Sequence, residues 1–119
     1  MFKLRIEGNF SSAHNLRGYK GKCEDLHGHN WKVEVVVVSD KLDKIGMVVD
    51  FKFLRKKLYS VLEELDHKYL NDLHFFKKIN PTSENIAKYL YDLLKSEAPN
   101  LYSVTVWESD SASATYYVE

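Results

Sequence analysis

The sequence predicts an α+β fold, in which a four-stranded antiparallel sheet carries two helices on one face in the order ββααββ. Alternation of apolar and polar residues near both ends of the chain is typical of half-buried strands. In the middle of the chain, apolar residues recur every three or four positions and indicate two amphipathic helices. Because the strands are grouped in pairs on either side of the helices, we expect one antiparallel sheet.

The first two strands are predicted on either side of a long polar loop. Alternation over residues 2–7 predicts a strand that extends toward Ala13, and residues 31–38 predict a second strand. Between them, residues 15–29 include three glycines in an irregular polar sequence. This segment is longer than a usual hairpin turn, and long loops are often functional.

Both predicted helices have recognisable starting residues. Asp50 is suited to cap a first helix, and its apolar stripe consists of Phe51, Leu54, Leu58, Val61, Leu62 and Leu65. Residues 66–80 are then a connector. The second helix is predicted to begin in residues 81–85, where a hydroxyl cap precedes an acidic residue, and to end at residues 98–100, which include a proline.

Two more strands complete the predicted sheet. Tyr102, Val104 and Val106 alternate on one face of the third strand, and residues 114–118 form the fourth. An open sheet has two edges that must be covered or paired. Closure of the sheets of several subunits into a barrel would pair them, so we expect a homo-oligomer.

Size and charge limit the classes of function. The chain has 119 residues and a formal net charge of zero, which fits a single domain over residues 1–119 and argues against a nucleic-acid partner. No apolar run approaches the ~18 residues of a membrane span, and no signal peptide is recognisable. We therefore expect a cytoplasmic protein without a membrane partner.

Three histidines are candidate metal ligands. His27 and His29 are two residues apart, so an extended backbone would point both to one face, a spacing suited to one metal ion. His14, at the end of the first strand, offers a third donor. Three histidines with an open fourth position are typical of catalytic zinc. The alternative is that they are ordinary surface histidines of the loop.

Cys23 is the only cysteine, so a disulfide within the chain is excluded. Its thiol could be a fourth zinc ligand, a buried unreactive group, or a base and nucleophile activated by nearby positive charge. Arg17, Lys20 and Lys22 precede it and could receive phosphate groups, or simply form a solvated face.

Three further residues could handle protons or bind a ligand. Asp66 and His67 follow the first helix, and an imidazole held by a carboxylate can shuttle protons, although such pairs are commoner as surface features. Glu108 is in phase with Val104 and Val106, so its carboxylate ends an apolar face and needs a partner. A ligand with two adjacent N–H donors would satisfy it, unless it is an exposed glutamate at the strand end.

Six short motifs, in order over almost the whole chain, point to one enzyme family. They are Ser12-Ala13-His14, Cys23-Glu24-Asp25-Leu26-His27-Gly28-His29, Val49-Asp50-Phe51, Leu65-Asp66-His67, Pro81-Thr82-Ser83-Glu84-Asn85-Ile86-Ala87 and Trp107-Glu108. Together they resemble the 6-pyruvoyl-tetrahydropterin synthase and 6-carboxytetrahydropterin synthase family. Each motif alone is unspecific, but their order matches the predicted order of strands and helices.

The resemblance implies a tunnelling fold, in which three subunits close a barrel and two such trimers stack into a hexamer with active sites between subunits. It also implies a set of site residues on the matching positions. These are His14, His27 and His29 as zinc ligands, Cys23 as general base, Asp66 and His67 as proton relay, Glu108 as pterin anchor, and Thr82 and Ser83 as supporting substrate contacts.

The implied substrate is 7,8-dihydroneopterin triphosphate. Three residues separate Cys23 from His27, which resembles the 6-carboxy-5,6,7,8-tetrahydropterin synthase branch of queuosine or archaeosine (7-deazaguanine) biosynthesis, whose reaction releases acetaldehyde and triphosphate. Glu24 leaves the product open, since relatives that form 6-hydroxymethyl-dihydropterin have a glutamate near this position, and 6-pyruvoyl-tetrahydropterin is a third possible product. A non-catalytic pterin- or purine-binding oligomer is the alternative from a different class.

Overall fold

The structure, a computed structural model, describes residues 1–21 and 24–119. Its strands and helices are β1 (Phe2–His14), β2 (His27–Ser39), α1 (Phe51–Leu62), α2 (Ser83–Lys95), β3 (Leu101–Ser109) and β4 (Ala112–Tyr117). Two short 3-10 helices, Leu70–Asp72 and His74–Phe76, lie in the predicted connector. The strands form one antiparallel sheet in the order β1-β2-β3-β4, which confirms the predicted α+β class and element order.

β1 and β2 form a long hairpin that extends further than predicted. Their register runs from Phe2 opposite Ser39 to His14 opposite His27. The segment His27 to His29 is therefore strand, whereas the sequence indicated a loop up to residue 29. The error arises because glycine and asparagine residues weaken the strand pattern, while the pairing with β1 continues through them.

The core lies between the sheet and the two helices. Every second residue of β2 from Trp31 to Val37 is buried, and so are the inward positions of both helices, which are Leu54, Leu58, Leu62, Ile86, Ala87, Leu90 and Leu94. The predicted caps are confirmed, since Asp50 accepts a hydrogen bond from the Lys52 N–H and Thr82 from the Asn85 N–H. In the described part of the chain, no helix has both the length and the apolar character needed to cross a membrane.

The predicted apolar face of β3 is wrong at Tyr102. Val36 pairs with Ser103 and Val37 pairs with Leu101, so Tyr102 is an extra residue in the ladder. Tyr102 is 41% exposed and Leu101 is buried in its place. A β-bulge of this kind shifts the alternation by one position, and the sequence pattern alone does not locate it.

Gly8 allows α1 to approach β1 closely. A Cβ at this position would lie 2.9 Å from Leu58 Cδ2 and 3.0 Å from Leu62 Cδ1, and both leucines are buried. We therefore expect Gly8→Ala to lower the free energy of unfolding by about 1–3 kcal/mol, because packed leucines must move. Gly28→Ala is a matched control, since the nearest atom to its Cβ is a carbonyl oxygen 3.8 Å away. Equal stability of the two variants in urea unfolding would contradict this reasoning.

Candidate functional site

Three histidines converge at the end of the β1–β2 hairpin. His14 is paired with His27, and Ser12 with His29, so the three side chains lie on the same face of the sheet. One ligand atom from each histidine and one from Glu108 all lie within 4.8 Å of one another. The centroids of the three rings are 4.6 to 5.2 Å apart and their planes are steeply inclined. The rings are therefore not stacked, and nitrogen atoms of all three meet in one small volume.

Backbone carbonyls orient two of the rings. His14 Nδ1 is 2.8 Å from the Pro81 oxygen and His27 Nδ1 is 2.9 Å from the Asp25 oxygen. Because a carbonyl oxygen only accepts hydrogen bonds, a neutral ring must carry its proton on Nδ1. Each Nε2 then has a free lone pair, which is the tautomer that binds a metal through Nε2.

Two buried nitrogen atoms without hydrogen-bond partners indicate whether these residues fit a metal ion. The Nε2 atoms of His14 and His29 are buried and have no hydrogen-bond partner among the described residues. Glu108 Oε1 is 3.3 Å and 3.1 Å from them, but not in the direction of an N–H···O bond. An unpaired buried polar atom costs about 1–3 kcal/mol, and a cation bound between the rings would satisfy both nitrogens. The donor set therefore fits a divalent metal ion.

The electrostatics of His29 favour the neutral ring. Burial lowers the pKa of His29, the nearby carboxylate of Glu108 raises it in opposition, and His14 and His27 lower it further. The net effect is a lowered pKa, so the ring is neutral at pH 7. Neutral imidazole is the form that ligates metal.

Trp31 forms a wall beside the cluster. Its ring centroid is 4.9 Å from that of His14 and 5.2 Å from that of His29, and the side chain is fully buried. The indole N–H donates to the Ser12 carbonyl 3.2 Å away. Trp31 therefore keeps water from one side of the histidines, a role that sequence analysis missed because a buried strand tryptophan looks like any other core residue.

Glu108 reaches the histidines from a second β-bulge. Trp107 pairs with Ser113 and Ser109 with Ala112, so Glu108 is the extra residue between them. Bulges redirect side chains and are common beside active sites. The sequence indicated that this carboxylate needs a partner, but not that imidazoles of the same chain lie next to it. Its contact with a pterin ring stays a prediction.

Asp66 and His67 lie at the outer edge of β1. The His67 N–H donates to the Ser11 carbonyl at 2.6 Å, and the Asp66 carboxylate accepts the Ser11 N–H at 2.8 Å. Asp66 Oδ2 is 2.9 Å from His67 Nδ1, and the His67 side chain is 81% exposed. The two residues thus form a pair, but they do not belong to the group of ligand atoms formed by the three histidines and Glu108.

Asp66 should make stability depend on acid pH. The Ser11 N–H, and then His67, hold the pKa of the Asp66 carboxyl below its ordinary value of about 3.9. A lowered folded-state pKa gives stability that is present above the unfolded-state pKa and lost as the pH falls through the folded-state pKa. We expect Asp66→Asn to be less stable than the unaltered protein at pH 7, with the difference shrinking below about pH 4. Urea unfolding between pH 7 and pH 3 measures this, and a difference that is constant with pH would contradict it.

The start of α2 lies next to the cluster. Pro81 holds His14 through its carbonyl, and the Thr82 hydroxyl accepts the Asn85 N–H at 3.1 Å as the helix cap. Thr82 therefore has a structural role in this chain. Substrate contacts of Thr82 and Ser83 stay predictions.

Arg17, one of the three candidate phosphate-binding cations before β2, is engaged within the chain. Cys23 and Lys22 lie outside the described residues. The Arg17 guanidinium donates to the Phe76 carbonyl at 2.6 Å and to the Asn71 carbonyl at 3.2 Å. Arg17 therefore ties the loop to the connector, which disfavours the hypothesis that it receives a triphosphate.

Comparison with known proteins points to one family. The family model of 6-pyruvoyl tetrahydropterin synthase matches residues 3–119. The chain is 39% identical over 123 residues to the 6-carboxy-5,6,7,8-tetrahydropterin synthase of Synechocystis sp., covering 98% of this chain and 94% of the relative. It is 37% identical over 112 residues to the 6-pyruvoyl tetrahydrobiopterin synthase of Homo sapiens, covering 89% and 77%. The solved structure of Caenorhabditis elegans 6-pyruvoyl tetrahydropterin synthase is similar with a TM-score of 0.87 at 32% identity, covering 99% of this chain and 96% of that one.

Proposed function

Since the chain is an enzyme of the 6-pyruvoyl tetrahydropterin synthase family, we propose that it is a zinc-dependent 6-carboxy-5,6,7,8-tetrahydropterin synthase. It would convert 7,8-dihydroneopterin triphosphate to 6-carboxy-5,6,7,8-tetrahydropterin with release of acetaldehyde and triphosphate. This reaction belongs to 7-deazaguanine biosynthesis, toward queuosine or archaeosine. We further propose that it takes place in the cytoplasm.

The observation that carries the proposal is the convergence of His14, His27 and His29 with Glu108 on one small volume. In the proposal the three imidazoles hold zinc, with Nε2 of His14 and His27 freed by the carbonyls that bind Nδ1. Bound zinc would supply Lewis acidity, making the side-chain hydroxyls of the substrate more acidic without any redox change. The buried Trp31 beside the rings strengthens these electrostatic interactions by excluding water.

Proton transfer is assigned to three residues. Cys23 is the general base that removes a carbon-bound proton from the substrate side chain. Asp66 accepts the Nδ1 proton of His67 and so orients its ring, which leaves His67 Nε2 available to take and return a proton. The Ser11 N–H, and then His67, lower the pKa of the Asp66 carboxyl, so the carboxylate is ionised at neutral pH and can accept this proton.

The relay and the base are proposed to come from different subunits. Asp66 and His67 lie at the outer edge of β1, and β1 and β4 are the two edge strands of the sheet. Pairing of β4 with β1 of a neighbouring copy would close a trimeric barrel and bring the relay of one copy to the histidines of the other. Two such trimers would form a hexamer of single-domain chains.

Two features favour the carboxy-forming branch. Only three residues separate Cys23 from His27. In addition, Glu24 Oε1 accepts the Leu16 N–H at 3.2 Å, so this carboxylate is engaged within the loop and is less available as the alternative proton-handling group. The alternatives are formation of 6-pyruvoyl-tetrahydropterin or of 6-hydroxymethyl-dihydropterin from the same substrate.

Product identification tests the proposal. Purified zinc-loaded protein is incubated with 7,8-dihydroneopterin triphosphate, and the pterin product is identified from its mass by mass spectrometry. We expect the 6-carboxy product together with acetaldehyde. A pyruvoyl or hydroxymethyl product would assign the enzyme to one of the alternative branches, and an untouched substrate would reject the proposal.

Glu108→Gln should weaken substrate binding more than metal binding. If the carboxylate anchors the pterin ring, amide replacement removes charge-assisted hydrogen bonds, and we expect pterin affinity to fall about tenfold or more. Zinc should stay near one per chain, because the three histidines remain. Titration with a pterin and elemental analysis measure the two effects. Unchanged pterin affinity combined with lost zinc would instead make Glu108 a metal ligand.

A further inference from the structure

A buried asparagine in the connector holds the beginning of the loop that contains Cys23. Asn71 is 5% exposed. Its side-chain oxygen accepts the Asn15 N–H at 3.1 Å, and its NH₂ group donates to the Asn15 carbonyl at 2.8 Å. Asn15 directly follows β1, so the amide of Asn71 replaces the two hydrogen bonds that a neighbouring strand would supply. An amide side chain offers the donor and the acceptor side by side, as a peptide group does.

Asn15 passes this constraint to the far end of the loop. The Tyr69 hydroxyl donates to Asn15 Oδ1 at 2.6 Å, which orients the side-chain amide, and Asn15 Nδ2 donates to the Glu24 carbonyl at 3.0 Å. Glu24 is also bound to the start of the loop, because its N–H donates to the Leu16 carbonyl at 2.9 Å. The two described ends of the loop are therefore joined by the Asn15 side chain and by two hydrogen bonds between Glu24 and Leu16.

A second asparagine repeats the arrangement two residues further along. The Arg17 N–H donates to Asn80 Oδ1 and Asn80 Nδ2 donates to the Arg17 carbonyl, both at 2.9 Å. Asn80 immediately precedes Pro81, whose carbonyl holds His14. The same connector thus supports the loop and one of the candidate metal ligands.

We propose that Asn71, acting through Asn15 and supported by Tyr69, is a positioning residue that sets the loop between β1 and β2, to which Cys23 belongs, relative to the histidine cluster. The inference rests on the proposed function, in which Cys23 is the general base. Glu24, the residue next to Cys23 in the sequence, is the point to which the hydrogen bonds from Asn71 lead. Loss of these bonds leaves the histidines on β1 and β2 in place but frees Asn15, and with it the bond from Asn15 to Glu24, from the connector.

The test uses two variants and a matched control. Asn71→Asp keeps the size and the acceptor but places an oxygen against the Asn15 carbonyl. Tyr69→Phe removes one hydroxyl at a side chain that is 37% exposed, so folding should be preserved, and Tyr102→Phe is the same change at a tyrosine that is 41% exposed on β3. For each zinc-loaded protein we measure kcat, KM, zinc content and the rate at which iodoacetamide alkylates Cys23, the only thiol.

We expect Asn71→Asp to lower kcat roughly tenfold to a hundredfold with KM changed less than about threefold, because misplacement of a catalytic group acts on the chemical step. Alkylation of Cys23 should become at least about threefold faster as the loop is released, since thiol reactivity follows access. Tyr69→Phe should show smaller changes of the same sign, and the control should match the unaltered protein. Unchanged kcat and alkylation in both variants, or losses that parallel lost zinc or lost folding, would overturn the proposal.

The two proposals fail separately. If the unaltered protein shows no turnover, the proposed function is wrong, but the alkylation rates still report whether Asn71 holds the loop. If the alkylation rates of all variants are equal, Asn71 is not a positioning residue, whatever the activity.

Discussion

Replacement of Cys23 by alanine should lower kcat by about 10² to 10⁴-fold while zinc content and pterin affinity stay close to those of the unaltered protein. This is the usual contribution of a general base. The physical reason is that the change removes the group that accepts the carbon-bound proton, but leaves the three imidazoles and the proposed substrate contacts unchanged. Turnover, elemental analysis and titration with a pterin measure the three quantities.

A comparison with Glu24→Gln separates the thiol from the neighbouring carboxylate. In the structure Glu24 accepts the Leu16 N–H and glutamine can still do so, which limits the structural effect of this change. We expect a much smaller loss of kcat for Glu24→Gln than for Cys23→Ala. If the order were reversed, Glu24 would be the proton-handling group and the hydroxymethyl product would be favoured. If Cys23→Ala also removed zinc, the thiol would be a metal ligand.

His14→Ala should reduce zinc affinity by more than about a hundredfold, because loss of an outer-shell partner alone costs about 10 to 100-fold and His14 is proposed to be a direct ligand. The unaltered protein should bind about one zinc per chain. His29→Ala should give the same loss, and it is the safer variant for folding, because the His14 side chain is 3% exposed and that of His29 25%. Competition with a chelator of known affinity measures both.

His74→Ala is the control for the zinc experiment. His74 is exposed in the connector and does not belong to the group of candidate ligands. The zinc affinity of the His74→Ala variant should therefore equal that of the unaltered protein. Unchanged zinc affinity in His14→Ala, with lost affinity in His29→Ala, would remove His14 from the proposed site. If all three variants bound zinc as tightly as the unaltered protein, the proposed zinc site would be wrong.

Local patterns predicted most of the fold because each pattern reports on its own neighbourhood. Alternating residues in β1 and β2, the buried leucines of both helices, and the caps Asp50 and Thr82 agree with the structure, whereas Phe51, predicted in the apolar stripe of α1, is 49% exposed. Burial of one face of a strand or helix is imposed by the same periodicity that the sequence displays. Even the convergence of His27 and His29 follows from alternation along a single strand.

The same local rules failed where pairing between strands departs from regularity. The bulge at Tyr102 moved Leu101 into the core, and the bulge at Glu108 turned its carboxylate toward His14 and His29. α1 also ends at Leu62, although its apolar stripe continues to Leu65, because the chain leaves the helix to pair with the edge of β1. In each case the outcome depends on a neighbouring strand, which the local pattern does not describe.

The sequence by itself determined the class of fold, the order of its elements, the family and the residue types that could bind a metal. Only the tertiary structure decided which atoms of those residues meet, that the Pro81 carbonyl holds the His14 ring through Nδ1, and that the Asn71 amide binds the backbone of Asn15. The physical reason is that periodicity and capping act over a few residues, whereas these contacts join peptide groups and side chains that lie far apart in the chain. Because every residue has a backbone carbonyl, the sequence does not show which carbonyl makes such a contact.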